Sequence, residues 1–223
     1  MRKRAKTAAG VGLAAVAVVG ALHMPFARPL LMKLGGCPVG KASAAEIERA
    51  RVQAVASTRG EGQANARPAI GFALDASTPD DVRAWAEKNG VSCTEKREGM
   101  FLACKNVPIA ALADRASEPG VADDVSFAFR PSDRALVNVT VTWFALPADL
   151  AAARAASATA RLDGEVGKAT AWSGDATAEH LASGMYATAS ASWRFADYQA
   201  DVTATSFGAR GVAVREHYVS GRD

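Results

Sequence analysis

The strongest constraint on the fold of this chain is a set of stretches in which apolar residues occupy every second position. They are Val125, Phe127 and Phe129; Val137, Val139, Val141 and Trp143; Met185, Ala187, Ala189, Ala191 and Trp193; Tyr198, Ala200, Val202 and Ala204; and Val212 with Val214. Successive side chains of a β-strand point to opposite faces, so a period of two predicts strands with one buried and one polar face. The chain is therefore expected to form a sheet that buries only one side, which is typical of antiparallel sheets.

A further hairpin is predicted over residues 91–107, where Glu98-Gly99 separates two short runs. If the chain turns at this dipeptide, Cys93 faces Cys104 directly, and a cross-strand pair brings its Cβ atoms close enough for a disulfide. We therefore predict a Cys93–Cys104 disulfide, which requires an oxidising compartment. The alternative is a pair of buried reduced thiols.

Residues with capping preferences mark the start of the clearest helix. Thr78 is followed by Pro79, a residue favoured at the first helical position, and by Asp80 and Asp81, whose charges are favourable near a helix N-terminus. Gly90 follows the last turn, where glycine is common. The sequence therefore predicts a helix that begins after Thr78 and ends before Gly90.

Weaker signals of the same kind predict the remaining elements. They are a helix over 44–56 after a Ser43 to Glu46 capping box, a strand through Ile70, Phe72 and Leu74, a helical turn over 108–113, an alanine-rich helix from Pro147 to Leu162 ended by Asp163-Gly164, and a short helix over 175–183 closed by Gly184. Together the elements predict an α+β domain, with helices packed on one face of an antiparallel sheet of hairpins.

A weak internal repeat supports the prediction of hairpins. Asn138-Val139-Thr140-Val141-Thr142 resembles Asp201-Val202-Thr203-Ala204-Thr205, and the two stretches follow Phe129-Arg130 and Trp193-Arg194 respectively. If the repeat is structural, a unit of one helix and two strands is used more than once, with the helices on one side of the sheet.

The first 36 residues predict an export or anchoring signal that precedes this domain. Arg2, Lys3, Arg4 and Lys6 come before an uncharged run over residues 8–27, which is long enough to cross a hydrocarbon core as a helix. Positive charge before such a run predicts that the N-terminus stays in the cytoplasm while the rest is translocated. The membrane is therefore the first expected partner, through residues 8–27.

Two alternatives remain open for this segment. The part from Ala8 to Leu22 also has the length of a signal-peptide core, with small residues at Val19-Gly20-Ala21 before a cleavage point. Leu34-Gly35-Gly36-Cys37 resembles the lipobox of bacterial lipoproteins, and this resemblance implies lipidation of Cys37. In that family the box directly follows the apolar run, whereas here residues 28–33 intervene.

We divide the chain into a signal anchor with a juxtamembrane segment (1–36), a short helix and linker (37–68), and an exported α+β domain (69–223). The abundance of alanine, and of arginine over lysine, is typical of a GC-rich bacterial genome. The expected location is therefore a bacterial cell envelope, anchored in the inner membrane with residues 37–223 on the extracytoplasmic, periplasmic side. A lipoprotein, or secretion after cleavage, is the alternative.

The charge distribution argues against nucleic acid as a partner. The formal net charge is +3, but residues 1–36 hold six of the 26 lysines and arginines and no acid, which leaves 20 cations against 23 acids in the remainder. The basic excess therefore belongs to the anchor. A slightly acidic domain lacks the field that drives binding to a phosphate backbone.

Motifs for metal, cofactor or catalytic chemistry do not emerge from the sequence. It contains no His-x-x-x-His, Cys-x-x-Cys, phosphate loop or Gly-x-Ser-x-Gly, so we predict no metal site, no cofactor and no catalytic residue. One polar cluster remains as a candidate ligand site. In the last β region Arg215 and His217 share a face, and a polar face built from these two residues with Arg194 and Asp201 is suited to an anion or a carboxylate.

These observations favour a non-catalytic role. We expect a membrane-anchored extracytoplasmic domain that acts as a protein-interaction or envelope-structural module with an envelope protein as partner. The alternative is a small-ligand-binding or hydrolytic protein that uses the polar face around His217 and Arg215.

Overall fold

The computed structural model describes residues 43–112, 115 and 120–222. The chain divides into two compact units, Met1–Ile47 and Glu48–Asp223. The predicted anchor over residues 1–36, and Cys37 with its predicted lipidation, lie outside the described residues. Among those described, no helix combines the length and the apolar character needed to cross a membrane.

The helices and strands of the described chain are named here in chain order. They are α1 (Ala44–Thr58), α2 (Pro79–Lys88), β1 (Ser92–Lys96), β2 (Phe101–Pro108), a 3-10 helix (Ile109–Ala111), β3 (Val121–Phe129), β4 (Leu136–Leu146), α3 (Ala148–Glu165), β5 (Ala171–Ser173), α4 (Ala178–Ala182), β6 (Thr188–Arg194), β7 (Tyr198–Ser206), a second 3-10 helix (Gly208–Arg210) and β8 (Val212–Ser220).

The described part of the first unit is the start of α1, and it carries the predicted capping box. The backbone N–H and the hydroxyl of Ser43 donate to Glu46 Oε2 at 2.7 and 2.8 Å, and the Glu46 N–H donates to Ser43 Oγ at 3.3 Å. In the second unit, Thr78 and Asp81 form the same arrangement at the start of α2. Both predicted helix starts are therefore confirmed.

The strands of the second unit form one eight-stranded antiparallel sheet in the order β1-β2-β3-β4-β8-β7-β6-β5. Each half of the sheet is a meander of four strands, and the halves join where β4 pairs with β8. The prediction of an α+β domain built on an antiparallel sheet is therefore confirmed. The cross-strand disulfide is confirmed as well, since Cys93 and Cys104 are register partners with Cα atoms 3.9 Å apart.

The sheet has an apolar face and a polar face, as the alternation predicts. Three helices pack into one buried cluster on the apolar face, α2 through Val82, α3 through Leu162 and α4 through Leu181. Helix α1 contacts the opposite face, because Gln199 Nε2 donates to the Val55 carbonyl at 3.0 Å and Gln199 Oε1 accepts from Thr58 at 3.0 Å. The prediction that the helices of the 69–223 domain pack on one face of the sheet therefore holds for α2, α3 and α4. Helix α1 belongs to the segment that the sequence analysis assigned to a short helix and linker.

The predicted strand through Ile70, Phe72 and Leu74 is also wrong. Ile70 and Gly71 have φ of 52° and 93°, and Asp75 has φ of 65°, so the backbone turns repeatedly instead of extending. Ile70 and Leu74 are nevertheless buried in the core. Burial at alternate positions therefore arises here from two successive turns.

Two element boundaries differ from the prediction for similar backbone reasons. Helix α3 continues through Asp163 and Gly164 and ends before Gly167, whose φ of 113° stops it. Strand β6 begins at Thr188 instead of Met185, because Tyr186 has φ of 67° and cannot lie in a strand. Met185 and Tyr186 consequently lie outside the sheet.

One end of the sheet, which we call the ionic end, is closed by a network of charged residues. Asp75 accepts hydrogen bonds from Arg67, from Arg130 at 2.6 Å and from Ser220 at 2.7 and 2.8 Å. Asp197 lies 3.9 Å from Arg67. The ionic end consists of these five residues, which come from the loops and from the end of β8.

The segment that the sequence assigns to a linker is attached to the ionic end. The Ala196 N–H donates to the Gly62 carbonyl at 2.7 Å, the Ala64 N–H donates to Asp197 Oδ1 at 3.0 Å, and the Tyr198 hydroxyl donates to the Pro68 carbonyl at 2.8 Å. Residues 48–68 therefore belong to the same compact unit as the sheet.

Candidate functional site

The polar face carries the predicted His217 and Asp201 as direct neighbours. Across the sheet, Thr140, His217 and Asp201 are register partners on β4, β8 and β7. The His217 Nδ1 atom lies 3.8 Å from Asp201 Oδ2. Both side chains are partly exposed, His217 at 27% and Asp201 at 20%, so a ligand can reach them.

Asn138 orients the imidazole from the other side. Its Oδ1 accepts from Thr140 at 3.3 Å, so its Nδ2 faces the ring and lies 2.6 Å from His217 Nε2. An amide nitrogen only donates, and Nε2 must therefore be the acceptor, which puts the ring proton on Nδ1 toward Asp201. With its only lone pair used in this way, His217 is poorly placed to take a proton from a substrate.

Arg194 and Asp201 form an ion pair next to this histidine. Arg194 Nη2 lies 2.5 Å from Asp201 Oδ1, and Ser192 Oγ donates to the same oxygen at 2.7 Å. Burial alone raises the pKa of Asp201, but the hydrogen bonds from His217, Arg194 and Ser192 outweigh it and hold the pKa far below its usual range. The carboxylate is therefore charged and its charge is compensated within the face.

Arg215 lies on the same face but is not joined to this network. It is exposed and lies between Thr142 and Thr203 in the register. Among the described residues no hydrogen bond or ion pair is formed by its guanidinium. The structure thus places the four predicted site residues on one face and connects only Arg194, Asp201 and His217 directly.

The apolar face contains a second charged cluster, which the sequence analysis missed. Glu216 is fully buried, and its Oε2 accepts from Arg115, from Arg161 at 2.9 Å and from the Tyr218 hydroxyl. Burial alone raises the pKa of Glu216, but the charge and hydrogen bond of Arg115 and the charge of Arg161 outweigh it, so the pKa lies below its usual range. The available signal was an acid at an inward position of the alternation Val212, Val214.

This buried cluster is inaccessible, which favours a structural role. Arg115 is 2% exposed and Glu216 is 0% exposed. Burial also raises the pKa of Tyr218, so its hydroxyl stays protonated and donates a hydrogen bond to Glu216. Among the described residues only Arg161, at 16% exposure, connects this cluster with the surface.

Exposed large apolar side chains gather at the end of the sheet opposite the ionic end. We call this the apolar end; its residues are Val121 at the start of β3, Phe144 near the end of β4, Leu150 in the first turn of α3, and Met185 with Tyr186 before β6. Phe144 is 53% exposed and Tyr186 is 66% exposed. Apolar side chains gathered at one place on a surface are typical of interaction sites.

The strand pairing places Tyr186 and Phe144 at the same end of the sheet, on either side of β8. The Tyr186 N–H donates to the Ser206 carbonyl at 2.8 Å, and Ser206 is the register partner of Val212 at the start of β8. Val212 in turn pairs with Leu146, just after Phe144. The apolar end therefore spans neighbouring strands across the middle of the sheet.

Within the described ranges, no group of three or more His, Cys, Asp or Glu side chains is placed to hold a metal ion. Comparison of the chain with protein-family models, with curated proteins and with solved structures finds no match.

Proposed function

We propose that this protein is a membrane-anchored, extracytoplasmic interaction module of a bacterial cell envelope that binds another protein through its apolar end. The observation that carries the proposal is the exposure of Phe144, Met185 and Tyr186 at the same end of the sheet. Burying such side chains against a partner removes apolar surface from water, which is the main driving force of protein association.

The location is supported by two features that are independent of each other. The Cys93–Cys104 disulfide is typical of proteins in oxidising compartments. The charged and then apolar sequence over residues 2–27 is typical of segments that carry a chain across a membrane. An inner-membrane anchor with residues 37–223 outside the cytoplasm accounts for both.

Site-specific photocrosslinking in the native host tests the interaction. A photoreactive amino acid at Phe144 or Tyr186 should give one crosslinked species, identified by mass spectrometry as the same protein from both positions. The matched control is Ser132, which is also exposed but lies in the turn at the ionic end. Identical products from Ser132, or none from the apolar end, contradict the proposal.

Two further measurements test the anchor. Protease added to spheroplasts should remove an epitope tag from the C-terminus, and a protected tag contradicts an extracytoplasmic domain. Metabolic labelling with a radioactive fatty acid, compared with Cys37→Ser, separates a permanent helix from a lipoprotein. Label that depends on Cys37 supports the lipoprotein alternative.

Anion binding on the polar face is a second candidate function. It is favoured by the exposed Arg215, which lies between the hydroxyls of Thr142 and Thr203 without a charged partner among the described residues. A guanidinium with adjacent hydroxyl donors is suited to a carboxylate or phosphate group. Hydrolysis is less favoured, because His217 Nε2 is already engaged by Asn138.

Titration of the full chain with acetate and with phosphate, followed by NMR, tests this candidate. Arg215→Gln should weaken binding at least about tenfold, since the charged donor contributes most of the interaction. Arg210→Gln is the control, because that guanidinium stacks on Phe207 at 5.6 Å, away from the face. Equal affinities in both variants contradict an anion site at Arg215.

A further inference from the structure

The two edges of the sheet differ in how well they are protected. Edge strand β1 contains Glu95 and Lys96 and is tied to β2 by the Cys93–Cys104 disulfide. Edge strand β5, Ala171–Ser173, contains no charged residue, and no described strand pairs with its outer side. Charged side chains on an edge are the usual protection against pairing with another chain. Of the two edge strands, only β5 has no charged side chain.

The surroundings of β5 are suited to an added strand. Trp172 is 60% exposed on this strand. A shallow cleft beside it is lined by small side chains, among them Ala155, Ala176 and Ala191. The cleft lies on the inner side of β5, between the sheet and α3. An extended peptide at the outer side of β5 would place alternate side chains next to Trp172 at the border of this cleft, where small or β-branched apolar groups fit.

Acidic residues border the C-terminal end of β5. Asp175 and Glu179 are exposed, and neither forms an ion pair among the described residues. Lys168, which precedes the strand, is already paired with Asp163 at 3.0 Å. A strand that pairs antiparallel to β5 begins beside Asp175. The complementary charge at that position is a lysine or arginine.

We propose that β5 accepts an extended segment of a partner protein as a ninth, antiparallel strand. The segment alternates apolar and uncharged polar residues and begins with a basic residue opposite Asp175. This inference rests on the proposed interaction function. It is continuous with the apolar end, because Thr188, the neighbour of Gly174, donates from its hydroxyl to the Tyr186 carbonyl at 3.1 Å.

The experiment measures the fluorescence anisotropy of a labelled peptide titrated with the full chain in mild detergent. The probe is acetyl-Lys-Thr-Val-Thr-Val-Thr, labelled at its C-terminus. The same peptide with alternate backbone nitrogens methylated keeps its side chains but loses the donors that pair with an edge strand. We expect the probe to bind and the methylated peptide to bind at least about tenfold more weakly.

Charge reversal locates the binding site. Asp175→Lys should weaken binding of the probe about threefold and should favour a peptide that begins with Glu, as expected for an exposed ion pair. Glu95→Lys is the matched charge reversal on the β1 edge. It should change neither the affinity for the probe nor the affinity for the peptide that begins with Glu. Trp172→Ala should weaken binding several-fold through loss of its apolar contact.

Several results would overturn the proposal. They are equal binding of the methylated peptide, equal effects of Asp175→Lys and Glu95→Lys, no anisotropy change of the probe up to about 1 mM of the full chain, and a dimer of the full chain that Trp172→Ala abolishes. Phe144→Ser should leave probe binding unchanged. If crosslinks from the apolar end persist while the probe does not bind, only the β5 inference fails; if the probe binds without such crosslinks, only the proposed function fails.

Discussion

The two ends of the sheet use their side chains in opposite ways. At the ionic end, charged groups are mostly buried, and the side chains of Asp75 and Arg130 are only 11% and 12% exposed. At the apolar end, Phe144 and Tyr186 are more than half exposed. Buried charges must be paired to be tolerated, whereas exposed apolar groups contribute little to the fold. The difference indicates that the ionic end serves stability and leaves the apolar end for binding.

The largest effect on stability should come from a cluster that lies at neither end. Glu216→Ala removes from Arg115 and Arg161 a carboxylate held in the core. Loss of one partner of a buried ion pair costs about 3–5 kcal/mol. Urea unfolding of the full chain, followed by tryptophan fluorescence, measures this loss. Glu216→Gln keeps the side-chain volume but removes the charge, and it should still lose most of that stability. If Glu216→Ala lowers the free energy of unfolding no more than an exposed substitution does, the structural role of Glu216 is contradicted.

The ionic end should show the next largest effect. Asp75→Ala leaves Arg67 and Arg130 without their shared carboxylate, and because these groups retain some solvent the expected loss is about 2–3 kcal/mol. The same urea unfolding measures it. Asp80→Ala is the matched control, since its carboxylate is 88% exposed and its loss from the first turn of α2 should lower the midpoint only slightly. Similar midpoints for Asp75→Ala and Asp80→Ala would show that the ionic end does not stabilise the fold.

The stability of the ionic end should also depend on pH. Burial alone raises the pKa of Asp75, but hydrogen bonds from Arg67 and Ser220 and the charges of Arg67 and Arg130 outweigh it, so its pKa lies below the ordinary 3.8. A lowered folded-state pKa stabilises the protein above the unfolded value, and this stability is lost as pH falls through the folded value. The pKa of Glu216 is also lowered, from an ordinary 4.5, so this carboxylate contributes stability with the same dependence on pH.

The free energy of unfolding should therefore be constant down to about pH 5 and should fall below about pH 4. Urea unfolding at a series of pH values measures this dependence. The free energy of unfolding of Asp75→Ala should fall less steeply over the acid range than that of the natural chain. The variant lacks one of the carboxylates that cause the fall. Parallel curves for the two proteins would assign the acid sensitivity to other groups.

The sequence predicted the elements whose contacts are local. The turn at Glu98-Gly99 fixed the register that pairs Cys93 with Cys104, and the period of two assigned His217 to the polar face. The ionic end was not predicted, because Asp75, Arg130 and Ser220 are far apart in the sequence and come together only in the folded sheet. Local pattern carries no information about such contacts.

The candidate surfaces were predictable to different degrees. The polar face follows from the alternation itself, so Arg194, Asp201, Arg215 and His217 could be placed on one side. The apolar end could not be predicted, because in the sequence Met185 continues the apolar alternation of β6. Tyr186 interrupts that strand with a positive φ, and this leaves both side chains in solvent.

The smallest effect on stability is expected at the apolar end. Tyr186→Ser removes a ring that is 66% exposed and whose nearest aromatic neighbour, Phe207, lies 6.2 Å away. Surface substitutions of this kind usually change the free energy of unfolding by less than about 0.5 kcal/mol. The double variant Phe144→Ser and Tyr186→Ser should therefore unfold at nearly the same urea concentration as the natural chain.

The same double variant should nevertheless lose its partner. With a photoreactive amino acid at Met185, the crosslinked species should disappear, because exposed aromatic groups supply much of the binding energy of an interface. Asp75→Asn with the same reporter is the reverse test, since it should lower stability and keep the crosslink. A double variant that unfolds early, or one that keeps the crosslink, would show that stability and binding are not divided between the two ends of the sheet.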